Sequence, residues 1–135
     1  MAAIDFAEWV APDLVLTVGG RTYRVRPPTV AEARVIVALM IRTEERLGLV
    51  PAGAARPEGL DEALDQVGQR PLGEVTLGRA VHRALMEDDV PAATVDRMSY
   101  YAMVFWARGR DRADAIARVL WSRAEDPTGG DAPGE

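Results

Sequence analysis

A double glycine between two short apolar runs is the feature that most limits how this chain can fold. Residues 16–25, LTVGGRTYRV, read as two strands joined by a two-residue turn at Gly19 and Gly20. A type I′ turn requires positive φ at both central positions, and glycine adopts such angles without a Cβ clash. The segment therefore predicts a β-hairpin near the start of the chain.

The turn also predicts which hairpin residues share a face. Counting outward from it gives the pairs Val18–Arg21, Leu16–Tyr23 and Leu14–Val25. Because side chains alternate along a strand, one face is then apolar, and the opposite face is mixed and is formed by Val15, Thr17, Thr22 and Arg24. An isolated hairpin is only marginally stable in water, so the apolar face must pack on the chain's own helices or on another protein.

The composition excludes several classes of function. The chain of 135 residues contains no cysteine, which excludes disulfides, thiolate metal sites and a cysteine nucleophile. All 16 basic residues are arginine, so a P-loop lysine and a Schiff-base lysine are excluded as well. The net charge of −5 argues against nucleic-acid binding. No apolar run approaches the roughly 20 residues of a membrane span, so we expect a cytosolic protein that does not bind membranes.

Helical signals follow the hairpin. Thr29 and Glu32 form a capping-box pattern at the start of a helix that extends to about Leu47, where Gly48 ends it. Apolar periodicity predicts further helices over 5–10, 61–67, 74–88 and 91–108, and from a cap at Asp111 to about 123.

Apolar positions at helical spacing predict the core. On the first long helix they are Ala33, Ile36, Val37, Met40 and Leu47, widened by Val35, Leu39 and Ile41. A stripe of this width indicates a helix that is buried on more than one side. On the helix over 91–108 the predicted inner face consists of Val95, Met98, Ala102, Phe105 and Trp106.

Together these elements predict an α+β fold that is mostly α-helical, with the N-terminal hairpin packed on a bundle of four to five helices. We expect one domain over residues 1–123, because a chain of this length can bury about 68% of the surface that it exposes when unfolded. Residues 124–135, AEDPTGGDAPGE, contain four acidic residues and no basic one, and are predicted to be a disordered tail.

No residue pattern predicts catalysis or metal binding. His82 has no carboxylate one helical turn away, and both serines, Ser99 and Ser122, lie inside predicted helices rather than on a strained turn. An acidic cluster near residue 60 lacks the alternating ligand spacing of a calcium loop, and a helix start favours such charges in any case. We therefore predict no catalytic, cofactor-binding or metal-binding residue, and a protein that is not an enzyme.

Residues 77–102 also have the outline of a helix-turn-helix, with the acidic turn EDDVP between two helices. The candidate recognition helix over 91–107 carries only one arginine, Arg97, beside one aspartate, Asp96. Such a surface offers little to bind phosphates. A DNA-binding regulator is therefore an alternative that the charge disfavours.

Two stretches resemble a known family. Residues 13–40, DLVLTVGGRTYRVRPPTVAEARVIVALM, resemble the start of tail assembly chaperones of long-tailed, siphovirus-type actinobacteriophages, where a valine-glycine-glycine hairpin precedes a proline pair and a helix. Residues 76–121 are similar to the second half of those proteins, at Leu77, Gly78, Val90, Pro91, Ala102, Trp106, Gly109 and Trp121. Asp89 stands where that pattern has glycine, and residues 48–73 match no part of it.

The resemblance implies a non-enzymatic protein of the infected host's cytoplasm that is absent from the mature virion. Such chaperones bind the hydrophobic helical tape measure protein and keep it soluble until tail tube subunits polymerise around it. The implied partners are the tape measure protein, further copies of the chain in a homo-oligomer and, as a second candidate, the major tail tube protein. A structural head-tail component that stays in the virion is the remaining alternative.

We expect partner binding to use the hairpin, aromatic side chains and methionines. An edge strand of the hairpin can extend a sheet into a neighbouring subunit, and methionine adapts to varied apolar surfaces. The predicted partner-binding residues are Trp9, Leu16, Tyr23, Met40, Met86, Met98, Met103 and Trp106.

Overall fold

The hairpin forms as the turn predicts. The computed structural model describes residues 3–6, 11–51 and 53–122. Strands β1 (Leu14–Val18) and β2 (Arg21–Val25) pair antiparallel in a two-stranded sheet, and all three predicted cross-strand pairs are confirmed. The turn glycines have φ of 55° at Gly19 and 86° at Gly20, as a type I′ turn requires.

Six α-helices follow, so the fold is α+β and mostly helical, as predicted. They are α1 (Val30–Arg46), α2 (Leu60–Asp65), α3 (Leu72–Leu77), α4 (Arg79–Glu87), α5 (Ala92–Arg108) and α6 (Arg110–Ala117). A turn of π-helix, Arg118–Ser122, continues α6. The predictions for Trp9, for residues 7–10, and for the boundary at 123 and the tail over 124–135 lie outside the described residues.

The ends of α1 confirm the capping signals. The Thr29 hydroxyl accepts a hydrogen bond from the Glu32 N–H at 3.2 Å, and the Glu32 carboxylate accepts one from the Thr29 N–H at 2.8 Å. At the other end Leu47 is the C-cap, and Gly48 takes a positive φ of 75°.

Two details of the predicted helices are wrong. The continuous helix over 74–88 is instead two helices, because Gly78 has φ 89° and ψ 154° and interrupts the hydrogen-bond ladder between α3 and α4. Asp111 does not cap α6, since the N-cap is Gly109 and Asp111 lies in the first turn. The six helices therefore exceed the predicted four to five.

The apolar side chains form two main clusters that meet at α5. In the first, the apolar face of the hairpin packs on α4 and the first half of α5 through Leu14, Tyr23, Val25, Leu85 and Val95. In the second, α1 and α6 pack on the second half of α5 through Ile36, Met40, Met103, Val104 and Ala113. Three partly buried aromatic residues of α5 contact both clusters: Tyr101, Phe105 and Trp106. The hairpin's apolar face thus packs on the chain's own helices.

Within residues 3–6, 11–51 and 53–122, no helix combines the length and the apolar character needed to cross a membrane.

Candidate functional site

Three of the predicted partner-binding methionines lie in the core. Met40 is 1% exposed, Met103 is 1% exposed and Met98 is 8% exposed. They are buried because α1 and α5 are covered on several sides, so a methionine at helical spacing meets a neighbouring helix rather than solvent. These three side chains are therefore not on the surface, and their role in partner binding stays a prediction. Met86, on α4, is 49% exposed.

The predicted partner-binding residues of the hairpin and the aromatic one of α5 also pack within the chain. Tyr23 is buried, and Leu16 packs partly buried against the first cluster. Trp106 lies between the two clusters, and its Nε1–H has no acceptor in the described part of the chain. The predicted residues that the structure describes therefore do not form one exposed surface.

An apolar groove runs along the outer side of α1. It has a volume of about 400 Å³ and lies between α1 and the start of α2. Its apolar lining comprises Val30, Ala33, Val37, Ala38, Ile41, Leu60 and Ala63. We call this feature the α1/α2 groove.

The sequence spacing explains the shape of the α1/α2 groove. Val30, Ala33, Val37 and Ile41 follow one another at intervals of three to four residues and therefore form a straight stripe on α1. At 1.5 Å per residue this stripe is about 16 Å long. Val30 is 81% exposed at one end, whereas Leu60 and Ala63 on α2 are buried.

Arg56 fixes the start of α2 against α1. Its guanidinium donates to Glu45 Oε2 at 2.6 Å and to Asp61 Oδ1 at 2.8 Å, and so bridges the last turn of α1 and the first turn of α2. The two carboxylates raise the pKa of Arg56 above its ordinary value, first through the Asp61 bond and then through the Glu45 bond. This contact joins the two helices that border the α1/α2 groove.

A second ion pair fixes α1 from its other side. Arg108, at the end of α5, donates to both carboxylate oxygens of Glu44, at 3.1 Å from Nε and 2.8 Å from Nη2. The hydrogen bonds from Arg108 hold the pKa of Glu44 below its ordinary value, although partial burial opposes them. Such paired bonds are directional and orient α1 as well as attract it.

Arginine side chains line a second surface feature, near the N-terminal end of α1. Two adjoining cavities of about 190 and 560 Å³ lie between the end of β2, the start of α1 and the junction of α3 and α4. Both are lined by Arg26 and Arg79; Arg24 joins them in the smaller one and Arg70 in the larger. We call the two cavities together the arginine cleft.

The described residues contain no group of three or more histidine, cysteine, aspartate and glutamate side chains that could hold a metal ion. His82 is partly buried where α4 crosses α3. A Cβ placed on Gly73 of α3 would lie 2.8 Å from His82 Cδ2 and 2.7 Å from Ser99 Oγ, so three helices approach one another closely here. This contact makes His82 part of the helix packing.

The sequence pattern predicts neither the α1/α2 groove nor the arginine cleft. The wide apolar stripe of α1 indicated burial on more than one side, but the pattern did not separate the core side from the side that faces a groove. The arginine cleft joins residues from β2, α1, α3 and α4 that are far apart in the chain. Only the break at Gly78 brings the start of α4 into it.

The fold is that of a small α+β protein in which a two-stranded hairpin packs on a helical bundle. The α1/α2 groove and the arginine cleft both border its first helix. The chain belongs to the family described as Domain of unknown function (DUF7426), which matches residues 4–135. No curated protein and no solved structure matches the chain.

Proposed function

We propose that this chain is a tail assembly chaperone that binds the apolar helical tape measure protein in the α1/α2 groove. The observation that carries the proposal is the apolar stripe beside α2, in which Val30 is exposed and Val37 and Ile41 are partly buried. The sequence resemblance over residues 13–40 and 76–121 supplies the class of partner. The proposed place of action is the host cytoplasm, and the protein is then absent from the finished virion.

The α1/α2 groove suits an amphipathic helix. A partner helix presents apolar side chains at positions i, i+3, i+4 and i+7, and a stripe of about 16 Å matches about three of its turns. Ala33, Ala38 and Ala63 keep the lining small, so a partner backbone can come close. A tape measure protein offers such helical faces repeatedly along its length, which is why self-association of the chaperone belongs to the proposal.

The helix-turn-helix alternative fits this geometry less well. A recognition helix must expose one face to the major groove of DNA. Here the corresponding helix, α5, is the central helix of the bundle, and six of its residues are buried: Val95, Met98, Ser99, Ala102, Met103 and Val104. We therefore favour a protein partner.

Co-expression with the tape measure protein tests the proposal. The variant is Val30→Glu, which places a carboxylate at the mouth of the α1/α2 groove in the first turn of α1, where the helix dipole favours a negative charge. The matched control is Val119→Glu, because Val119 is 66% exposed and lies outside the groove. We expect the wild type and the control to keep the tape measure protein soluble, and Val30→Glu to lose most of that activity while its thermal stability is retained.

Two outcomes would count against the proposal. If wild-type protein leaves the tape measure protein as insoluble as it is alone, the chaperone function is wrong. If Val30→Glu keeps the partner soluble as well as the control does, the α1/α2 groove is not the binding site. Mass spectrometry of purified particles separates the remaining alternative, since a structural head-tail component would be found in the virion.

A further inference from the structure

We propose that the arginine cleft binds an acidic segment of a partner protein, in which carboxylate and aliphatic side chains lie close together. This inference is independent of the α1/α2 groove. It depends on the charge of the cleft, on the start of α4 and on the apolar walls between the arginines.

The cleft is positive in a chain that is negative overall. Four arginines line it, Arg24, Arg26, Arg70 and Arg79, against two carboxylates, Glu32 and Glu74, while the whole chain has a net charge of −5. Within the described residues, Arg24 and Arg26 make no hydrogen bond or ion pair. The nearest carboxylate contact of Arg79 is Glu74, at 4.0 Å, and its side chain is 72% exposed.

The two carboxylates of the cleft offset only part of the charge of its four arginines. One oxygen of Glu32 accepts from the Thr29 N–H in the capping box of α1. Glu74 faces Arg79 at the limit of an ion pair, and exposed pairs of that kind contribute little. The guanidinium groups of Arg24 and Arg26 therefore remain available to a carboxylate, which they can bind through paired N–H donors.

The start of α4 adds donors to the same cleft. Gly78 is the N-cap and has no side chain, so no side-chain oxygen accepts from the first-turn N–H groups of α4. Gly78, Arg79 and Ala80 line both cavities. Trp106 also lines the smaller cavity. The helix dipole, the first-turn amides and the arginines therefore all favour an anion at this place.

The walls of the cleft favour a peptide over a nucleic acid. Partly buried apolar side chains line the smaller cavity beside the arginines: Val75, Val81, Pro27 and Pro28. These apolar surfaces match aliphatic side chains rather than a phosphate backbone. The net charge of −5 also opposes a long polyanion more than a short acidic segment.

Fluorescence anisotropy with a labelled synthetic peptide tests the inference. The probe alternates Asp and Glu with Leu and Val, and the matched probe carries Asn and Gln in place of the acids. We expect saturable binding of the acidic probe that weakens with added salt, and no binding of the amide probe. The double variant Arg26→Gln, Arg79→Gln should bind at least about tenfold more weakly, since each arginine supplies a charge-assisted hydrogen bond. Arg118→Gln removes the same charge from an exposed site outside the cleft and should change nothing.

A second variant keeps the test valid if the double variant folds poorly. Ala80→Glu places a carboxylate in the first turn of α4, where it favours the helix and occupies the cleft. We expect this variant to fold at least as well as the wild type and to lose binding of the acidic probe. Val30→Glu, in the α1/α2 groove, should leave that binding intact.

Several results would overturn the inference. They are the absence of saturable binding by the folded wild type, equal binding of the amide probe, and unchanged binding by folded Ala80→Glu. Tighter binding of a single-stranded oligonucleotide than of the acidic probe would assign the cleft to nucleic acid. Binding that appears only after removal of residues 124–135 would show that the chain's own acidic segment, rather than a partner, occupies the cleft.

Discussion

The Tyr23 hydroxyl donates a hydrogen bond of 2.7 Å to Asp88 Oδ2 and so joins β2 to the residue that caps the end of α4. Arg21 reaches the same residue, with Nη1 at 3.3 Å from Asp88 Oδ1 and at 3.2 Å from its backbone oxygen. One aspartate therefore contacts two residues of β2, the exposed Arg21 and the buried Tyr23, which lie on the same face of the hairpin. The contact makes the docked hairpin a part of the bundle rather than a free ribbon.

Replacing Tyr23 by phenylalanine should weaken the docking of the hairpin. The ring still packs in the first cluster, but Asp88 loses the hydroxyl donor, which corresponds to a decrease in Tm of about 2–5 °C. Thermal unfolding by circular dichroism measures this effect. Arg21→Gln is the control, because its exposed ion pair should contribute less. An equal Tm for wild type and Tyr23→Phe would show that the hydrogen bond does not stabilise the fold.

Alkaline pH should destabilise the protein through its tyrosines. The pKa of Tyr23 is raised above its ordinary value of 10.0, first by the hydrogen bond to Asp88. The pKa values of Tyr100 and Tyr101 are raised chiefly by burial. A raised folded-state pKa contributes stability that is present below about pH 10 and is lost as pH rises through the folded-state value.

Urea unfolding at increasing pH, with tyrosinate absorbance as a second readout, checks the alkaline prediction. We expect the urea midpoint to fall above about pH 10 and the tyrosines to titrate later than free tyrosine. Tyr23→Phe should show a shallower fall, because one of the three contributions is absent. A midpoint that stays constant through this range would contradict the prediction.

The hairpin turn should tolerate few residues. Changing Gly19 and Gly20 together to valine forces β-branched residues into positive φ and should cost about 2 kcal/mol. Chemical denaturation provides the measurement. The matched variant Gly19→Asn should cost much less, since asparagine adopts left-handed angles readily. If the double valine variant unfolds at the wild-type denaturant concentration, the turn does not fix the hairpin.

The sign of the change in unfolding free energy caused by Gly78→Ala distinguishes a broken helix from a continuous one. In a continuous helix over 74–88, Gly78→Ala would stabilise the protein by about 1 kcal/mol. With the break at φ 89° and ψ 154°, the same change should instead destabilise it by about 1–3 kcal/mol. Apart from the neighbouring residues, no atom of the described part of the chain lies within 4 Å of the added Cβ, so the cost is one of backbone conformation. Equilibrium unfolding in urea distinguishes the two cases.

A proline can remove an outward backbone donor of the hairpin while the hydrogen bonds between its two strands remain. In the turn the Val18 carbonyl accepts from the Arg21 N–H, and because antiparallel pairs alternate, the backbone groups of the pair Thr17–Thr22 point outward. Thr17→Pro or Thr22→Pro should therefore remove an edge donor while the inner ladder remains. If the hairpin extends a sheet into a neighbouring subunit, either variant should lower the oligomeric state measured by light scattering. A folded variant that associates as the wild type does would assign the hairpin to intramolecular packing alone.

Local chemistry made the hairpin and the ends of α1 predictable. The register follows from two glycines, and the capping box follows from Thr29 and Glu32, because each involves residues only a few positions apart. The break at Gly78 was missed since apolar periodicity continues across it from Leu77 to Leu85. A helical pattern alone does not reveal a glycine that has left the helical region.

The sides of α1 were not predictable from the same pattern. Leu47, predicted in the core, is 61% exposed, whereas Ala38, which was not singled out, is buried. Val37 has the spacing of a core residue but lines the α1/α2 groove. Which apolar side meets a neighbour depends on where α2 and α5 lie, and that is decided by contacts between distant parts of the chain.

The position of α5 between the two apolar clusters has a consequence for how the protein opens. Val95, Met98 and Ala102 belong to the cluster beneath the hairpin, and Met103 and Val104 to the cluster beneath α1. Neither half can lose its contacts without exposing part of the same helix, so the two halves should not unfold separately. The backbone amides in the middle of α5 then exchange with solvent only through global unfolding, and those of α2, which packs at the rim, exchange through smaller local openings.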